Sequence, residues 1–343
     1  MTSGRVTRRT FLRRSGAIAA AAPLSAALIG RATAAPFTMK LSSSQANDPK
    51  YANGRVYYDF LLKQLKANKL DDQIQIQFFP DNQLGQEIDV ANSVKLGVID
   101  LMVTGTSIWA NLVPAFGVMD LGYIYQSYEH QTRSLDGGSA QILEDMLLKG
   151  AGTRMVGWAY NFGARSVLAK APVKGPAELA GKKIRTLPNP VITEVLRLMG
   201  AAATPMAFGE IYTALQAGVL DGLEHDPPTI VASKFYETAK FYTLTEHIFS
   251  PLGIFMSDVS WKRMPADLRE GYLASTKAAA LDTRAHGLAV AKEALEVLKQ
   301  QGVTVAECDK EAFRVRVQPL TDRFAKEHPE VKPVLDAIQA TRT

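Results

Sequence analysis

An arginine stands near the end of a predicted strand and is followed by a turn framed by prolines. Residues 182–191 read KKIRTLPNPV, so Arg185 closes a short strand and Asn189 precedes a predicted helix. The planar guanidinium group matches a carboxylate with two parallel donors. Ligands of α/β sheets usually bind beyond the carboxyl ends of the strands. The stretch is compatible with carboxylate binding by Arg185, but taken alone it favours a surface arginine on an edge strand.

Strand and helix signals alternate along the chain around this arginine. Apolar runs with strand character cover 37–44, 73–78, 99–103, 154–160, 182–186, 204–208 and 219–225. Helical spacing of apolar residues covers 51–68, 86–97, 190–199, 209–217 and, much longer, 265–301. This rhythm predicts an α/β fold with parallel sheets. The stretch near 161–170 separates two such units, and no tandem repeat is recognisable.

The first 34 residues have the three-part layout of an export signal. An arginine-rich region is followed by an alanine-rich apolar run over 17–30 and by small residues up to Ala34. The stretch TRRTFLR at 7–13 fits the twin-arginine export pattern. We therefore expect a twin-arginine signal peptide (1–34), recognition by the Tat export machinery, cleavage near Ala34 and a periplasmic product.

The basic charge of the chain belongs to this signal. The whole chain carries a net charge of +5, but residues 1–34 contain six arginines and no acidic residue. Their removal leaves 33 basic and 34 acidic side chains, a net charge of −1. The charge thus gives no reason to expect nucleic-acid binding, and no basic-aromatic patch suggests it.

The motifs of common enzymes are absent from the sequence. There is no G-x-G-x-x-G after a strand, no P-loop, no H-E-x-x-H and no G-x-S-x-G. The single cysteine, Cys308, has no nearby histidine, which is more typical of a partly buried structural cysteine than of a nucleophile. An exported α/β chain of this kind indicates a binding protein rather than an enzyme, and no cofactor is predicted.

Several stretches resemble the substrate-binding proteins of tripartite ATP-independent periplasmic (TRAP) transporters, the DctP family. The similar stretches are 78–103, 113–130, 170–186 with KKIRT, 205–228 with PMAFGEIYTALQAGVLDGLEHDPP, and 234–247. The resemblance implies a two-lobed periplasmic-binding-protein fold (type II, Venus-flytrap) with a long helix spanning both lobes. It places lobe I at 35–162 and 251–290, and lobe II at 163–250 and 291–343.

The resemblance also implies roles for three residues around KKIRT. Arg185 matches the carboxylate-binding arginine of the family, and Arg165 in NFGARS matches a second cleft arginine. Asn189 matches a polar contact just after the main arginine. Two structural alternatives stay open: Arg165 in a salt bridge across the hinge, and Asn189 as a helix N-cap with Pro190 at the first helical position.

Four further residues are implied at the cleft. Phe208 matches a residue that packs on the carbon skeleton of the ligand, with a pure core role as the alternative. His225 stands where the family commonly has asparagine, and it either donates to a ligand oxygen or pairs with Asp226 in the wall. Glu87 matches a polar position at the far end of the ligand, and Ser43 matches a polar contact at a strand end.

The implied function is that of a receptor for a small organic acid, delivered to the small and large subunits of a TRAP membrane permease. A sugar acid is the first expectation, followed by a 2-oxo or hydroxy acid or a C4-dicarboxylate. A cation beside the ligand stays open. The alternatives are a ligand-binding accessory protein of a membrane sensor and an exported metal-assisted lyase that uses Glu224, His225 and Asp226.

Overall fold

The computed structural model describes residues 35–159 and 163–342, and the predicted export signal lies outside these described residues. The strands are β1 (Phe37–Ser42), β2 (Ile74–Phe79), β3 (Leu101–Gly105), β4 (Thr153–Trp158), β5 (Arg165–Ala169), β6 (Lys183–Thr186), β7 (Ala202–Pro205), β8 (Gly222–His225), β9 (Phe241–Ile248), β10 (Leu252–Ser257) and β11 (Thr304–Ala306).

The helices cover both sheets. They are α1 (Asn53–Ala67), α2 (Glu87–Leu96), α3 (Tyr128–Ser134), α4 (Ala140–Ala151), α5 (Pro176–Leu179), α6 (Pro190–Met199), α7 (Ile211–Gln216), α8 (Pro227–Ala232), α9 (Asp258–Arg263), α10 (Ala266–Gln300), α11 (Lys310–Val317), α12 (Pro319–Glu327) and α13 (Lys332–Ala340). Short 3-10 turns include Thr106–Asn111 and Phe208–Glu210.

Among the described residues, the sequence predicted seven of the eleven strands and five of the thirteen helices, and two of its interpretations need correction. The stretch near 161–170 is not only a separator, because it contains β5, all of whose five residues are buried. A strand buried on both faces lacks the alternating pattern by which strands are recognised. The strand predicted at 204–208 ends at Pro205, so Phe208 opens a 3-10 turn instead.

The two sheets share one topology and form the two lobes of the fold. The first sheet has the order β2-β1-β3-β10-β4, and the second has the order β11-β9-β5-β8-β6-β7. In each sheet three parallel strands are followed by an antiparallel strand, β10 beside β3 and β5 beside β8. We call the first sheet with its helices lobe I and the second lobe II. The fold is therefore α/β, as the sequence pattern predicted, and two-lobed, as the family resemblance implied. The prediction of parallel sheets was wrong, because both sheets are mixed.

The same turn precedes β3 in lobe I and β8 in lobe II. The sequence is LGVID at the first turn and AGVLD at the second, and the glycines Gly97 and Gly218 both have φ of 76°. Only glycine adopts this left-handed conformation without steric cost. Asp100 and Asp221 then each accept a backbone N–H from the adjacent strand, β1 or β6, at 2.8 Å.

This repeated turn identifies equivalent positions in the two lobes. Glu87 stands ten residues before the first glycine, and Phe208 stands ten residues before the second. Thr104 and His225 each stand seven residues after their glycine. Because each pair occupies the same place in the same topology, the lobes present these side chains from corresponding positions.

Three apolar clusters form the cores of the two lobes and the contact between them. One packs the first sheet against α1 and the N-terminal half of α10, and another packs the second sheet against α7, α8 and Leu298 of α10. The third is shared, since it contains Met102 and Phe255 of the first sheet and Val167 and Ile184 of the second. The long helix α10 thus contributes to the cores of both lobes. Within the described residues, no helix has the length and apolar character needed to cross a bilayer.

Candidate functional site

A cavity of ≈ 40 Å³ lies between residues of the two lobes. Four of the predicted site residues line it: Glu87 from lobe I, and Arg165, Phe208 and His225 from lobe II. We call the residues that line this cavity its wall. The structure thus brings four predicted residues together that are far apart in sequence. The other three predicted residues, Arg185, Asn189 and Ser43, lie outside the wall.

Arg185 lies in the interior of lobe II with most of its guanidinium unpaired. It belongs to β6, which runs between β8 and β7, so the edge-strand alternative does not apply. The residue is 0 % exposed, and only its Nε donates a hydrogen bond, to the carbonyl oxygen of Met206 at 2.9 Å. Within the described residues, neither Nη atom has a hydrogen-bond partner. Burial lowers the pKa of Arg185 to about 10, although Glu224 acts in the opposite direction.

Arg165 is neutralised by a buried acid on the neighbouring strand. Its Nε lies 2.5 Å from Oε2 of Glu224, and its Nη2 lies 2.7 Å from Oε1. Burial alone would raise the pKa of Glu224, but Arg165 and His247 hold it well below its ordinary value. The expected salt bridge is therefore present, within the sheet of lobe II rather than across the hinge. Of the two arginines, only Arg185 lacks an acidic partner.

His225 and Asp226 form a pair in the wall. The Nδ1 atom of His225 lies 2.5 Å from Oδ2 of Asp226 and 3.0 Å from the Asp226 amide nitrogen. Because a carboxylate oxygen can only accept, the Oδ2 contact requires a proton on Nδ1, whereas the Asp226 amide N–H donates to an unprotonated Nδ1, so the two contacts belong to different tautomers. Burial lowers the pKa of His225, which favours a neutral imidazole. The ring of Phe208 packs edge-on against the imidazole at 5.8 Å.

Glu87 opens α2 and receives two hydroxyl groups of lobe I. Its Oε1 accepts hydrogen bonds from Ser44 Oγ at 3.0 Å and from Thr104 Oγ1 at 2.7 Å. The N-terminal turn of a helix favours negative charge. Ser43 is buried behind this group, where its Oγ accepts the Gln45 amide at 3.3 Å. Ser44 and Gln45, rather than Ser43, line the cavity.

Asn189 is the N-cap of α6, as the structural alternative predicted. Its Oδ1 accepts the amide of Ile192 at 2.9 Å. Its Nδ2 donates to the carbonyl oxygen of Ser107 at 2.6 Å and to Oδ2 of Asp120 at 2.9 Å. Ser107 also donates its hydroxyl to Oδ1 of Asp120. Asn189 therefore joins the start of α6 to the segment that follows β3, and its polar atoms are used within the protein.

Direct hydrogen bonds connect the two sides of the cleft. Gln45 of lobe I donates to Thr229 Oγ1 at the start of α8 at 3.1 Å. Asn111 of the turn after β3 donates to the carbonyl oxygen of Pro188 at 2.9 Å. These contacts and the small cavity describe a closed arrangement of the lobes.

The sequence reasoning missed the hydroxyl and amide residues of the wall. They are Ser44, Gln45, Thr104, Ser107 and Ser250. Four of them follow or end the strands β1 and β3, where a polar turn is visible in the sequence as SSSQ and TGTS. The carboxyl ends of β1 and β3 could therefore have indicated them.

The described residues show no arrangement suited to metal-assisted chemistry. No group of three or more histidine, cysteine or acidic residues among them could hold a metal ion. Cys308 is half-buried and lies 3.7 Å from the carbonyl oxygen of Leu244. Burial raises the pKa of Cys308 to about 11, which disfavours the thiolate.

Comparison with known families gives one match over most of the chain. The sequence profile described as "Bacterial extracellular solute-binding protein, family 7" (DctP) matches residues 55–328. The 2,3-diketo-L-gulonate-binding periplasmic protein of Escherichia coli K12 is 28% identical over 294 residues, which cover 85% of this chain and 88% of that protein.

Solved structures of similar proteins contain sugar acids. A TRAP periplasmic solute-binding protein from Chromohalobacter salexigens with bound D-glucuronate superposes with a TM-score of 0.83 at 28% identity, covering 89% of this chain and 100% of that one. A protein of the same kind from Xanthobacter autotrophicus with bound β-D-galacturonate has a TM-score of 0.83 at 28% identity, with the same coverage.

Proposed function

Since this chain belongs to family 7 of the bacterial extracellular solute-binding proteins, the DctP family, we propose that it binds a sugar acid between its lobes through Arg185. Proteins of this family are periplasmic receptors that deliver small organic acids to TRAP membrane permeases, and this chain is such a receptor. The sugar acid and the residues that hold it are the proposal.

The observation that carries the proposal is that both Nη groups of Arg185 lack a hydrogen-bond partner within the described residues. Burying a cation without a partner is costly, and its two free Nη groups lose their water as well. A ligand carboxylate would accept two parallel hydrogen bonds from this group and supply the missing negative charge. The wall residues Glu87 and Arg165 are among the charged groups that act on Arg185, so the guanidinium lies near the cavity.

The rest of the wall supports an acid that carries hydroxyl groups. The carboxylate of Glu87 can only accept hydrogen bonds, and ligand hydroxyls would donate to it. Phe208 offers an apolar ring against the carbon skeleton. The C4-dicarboxylate alternative has less support, because Glu224 already neutralises Arg165 and one unpaired arginine remains. The two relatives with bound uronic acids agree with a sugar acid.

Ligand-induced stabilisation of residues 35–343 tests this proposal. We would compare wild type with Arg185→Met in the presence of uronic, aldonic, 2-oxo and C4-dicarboxylic acids. A ligand at 100 times its dissociation constant stabilises wild type by about 2.7 kcal/mol, and the variant should show no such shift. Arg197→Met is the matched control, because Arg197 is an exposed arginine of α6 paired with Glu194. An unchanged shift in Arg185→Met would remove Arg185 from the site.

We also propose the export route and the lobe boundaries. Export by the twin-arginine pathway, with cleavage near Ala34, is supported by TRRTFLR at 7–13. Replacing Arg8 and Arg9 by lysine should retain the precursor in the cytoplasm, as cell fractionation would show. The boundaries 35–162 with 251–290 for lobe I, and 163–250 with 291–343 for lobe II, are supported by the assignment of β10 to the first sheet and β5 to the second.

A further inference from the structure

The two lobes present opposite chemistry at equivalent positions of the cavity. Glu87 of lobe I occupies the position that Phe208 occupies in lobe II, and Thr104 occupies the position of His225. Lobe II also supplies Arg165 and the nearby Arg185. The lobe II side offers the unpaired Nη groups of Arg185 and the ring of Phe208, since Glu224 neutralises Arg165 and Asp226 is paired with His225. The lobe I side is acidic and bears hydroxyl groups.

One carboxylate oxygen of Glu87 is hydrogen-bonded to lobe I, and the other has no hydrogen bond within the described residues. Oε1 accepts the hydroxyl groups of Ser44 and Thr104, at 3.0 and 2.7 Å. These two residues come from the ends of β1 and β3, so the carboxylate is anchored to two strands of the sheet. No hydrogen bond within the described residues uses Oε2. A ligand would thus meet a positioned oxygen that can accept but not donate.

A carboxylate at this position discriminates between two kinds of ligand group. A hydroxyl group would donate to Oε2 and leave Glu87 satisfied. A second ligand carboxylate would bring two negative charges together in a cavity enclosed between the lobes, where like charges repel more strongly than in bulk water. Arg165 would do little to offset this repulsion, because its Nε and Nη2 groups already donate to the carboxylate of Glu224.

We propose that Glu87 is a specificity-determining residue that admits acids with one carboxylate and a hydroxyl group at the opposite end, and excludes the corresponding dicarboxylic acids. This inference rests on the proposed function and narrows its substrate class. The ligand carboxylate faces Arg185 in lobe II, and the hydroxyl groups face Glu87 in lobe I.

Calorimetric titration of wild type, Glu87→Gln and Glu210→Gln tests the inference. The probes are D-glucuronate and D-galacturonate, each paired with the acid oxidised at both ends, D-glucarate and galactarate. Glutamine keeps an oxygen for Ser44 and Thr104 and adds an NH₂ donor in place of the charge. Glu210 is an exposed acid that also acts on Arg185 but does not line the cavity, so its variant removes an equal charge outside the wall.

We expect wild type to bind one uronic acid at least 100-fold more tightly than its dicarboxylic partner. Glu87→Gln should lower that ratio at least 30-fold, by weaker uronate binding and tighter dicarboxylate binding, while Glu210→Gln keeps the wild-type ratio. If Glu87→Gln still bound the uronic acid with an unchanged ratio, this inference would be overturned and the proposed function would stand. The same would follow if Glu210→Gln changed the ratio as much as Glu87→Gln. If wild type bound neither uronic acid, the proposed ligand class would fail and this inference with it.

Discussion

Arg165 and Glu224 are joined by two hydrogen bonds across the neighbouring strands β5 and β8, at 2.5 and 2.7 Å, and both side chains are buried. Arg185, on the strand next to β8, has no such acidic partner within the described residues. Two buried arginines in one lobe therefore have different electrostatic roles. Arg165 is compensated by the protein, whereas in our proposal Arg185 takes its counter-charge from a ligand.

Replacing Arg185 with methionine should stabilise the ligand-free protein. The change removes a buried, unpaired cation and keeps a side chain of similar length, so we expect the free energy of unfolding to rise by about 1–3 kcal/mol. Urea unfolding without ligand measures this. A loss of stability greater than that of the exposed control Arg197→Met would show that Arg185 is satisfied in the free protein.

Replacing Arg165 with methionine should have the opposite effect. The change leaves the carboxylate of Glu224 buried without its main partner, and breaking a buried ion pair in this way costs about 3–5 kcal/mol. The same urea experiment gives the value. The double variant Arg165→Met, Glu224→Gln removes both charges and should recover part of the loss. If the double variant were as unstable as the sum of the single variants, the pair would not be coupled.

Stability should depend on pH through Asp120. Burial raises the pKa of Asp120 to about 7, although hydrogen bonds from Ser107 and Asn189 and the charge of Arg165 oppose this. Glu224 acts in the same direction as burial. Between pH 4 and 7 the folded state therefore holds more protons than the unfolded state. The contribution of Asp120 to the free energy of unfolding is fully present below pH 4 and is lost as pH rises through 7.

The variant Asp120→Asn tests this dependence, because asparagine does not ionise. Wild type should lose on the order of 3 kcal/mol relative to the variant between pH 4.5 and 8, at about 1.4 kcal/mol per pKa unit. Unfolding of both proteins at several pH values in one buffer series provides the comparison. A stability difference that stays constant across this range would contradict the assignment to Asp120.

Two substitutions of Asn189 should separate its two roles. Asn189→Ala removes the N-cap of α6 and the donor to Asp120, and we expect a loss of about 2 kcal/mol. Asn189→Ser keeps an oxygen that can cap the helix but cannot replace the Nδ2 bonds to Ser107 and Asp120, so about half of that loss should remain. Thermal unfolding of the two variants measures both values. If Asn189→Ser were as stable as wild type, the N-cap would be the only stabilising role of Asn189, and the Nδ2 bonds would contribute nothing.

Local signals in the sequence predicted a helix start and an arginine near a strand end. Asn189 and Pro190 have the residue types of a helix start, and Asn189 is indeed the N-cap of α6. The Arg185 position follows from a short apolar strand and a turn of prolines. The family resemblance added Glu87, Arg165, Phe208 and His225, which line one cavity. These features depend on a few consecutive residues or on stretches that the family shares.

The sequence by itself thus determined the α/β class, about half of the helices and strands, and the presence of an arginine near a strand end. Only the tertiary structure decided which side chains meet. Ser44 and Gln45, at the bend after β1, line the cavity, whereas the side chain of Ser43 packs against Gly54. Arg165 meets Glu224 because β5 pairs with β8, a contact between residues 59 positions apart. Such pairings depend on strand register, which is fixed by packing across the whole sheet.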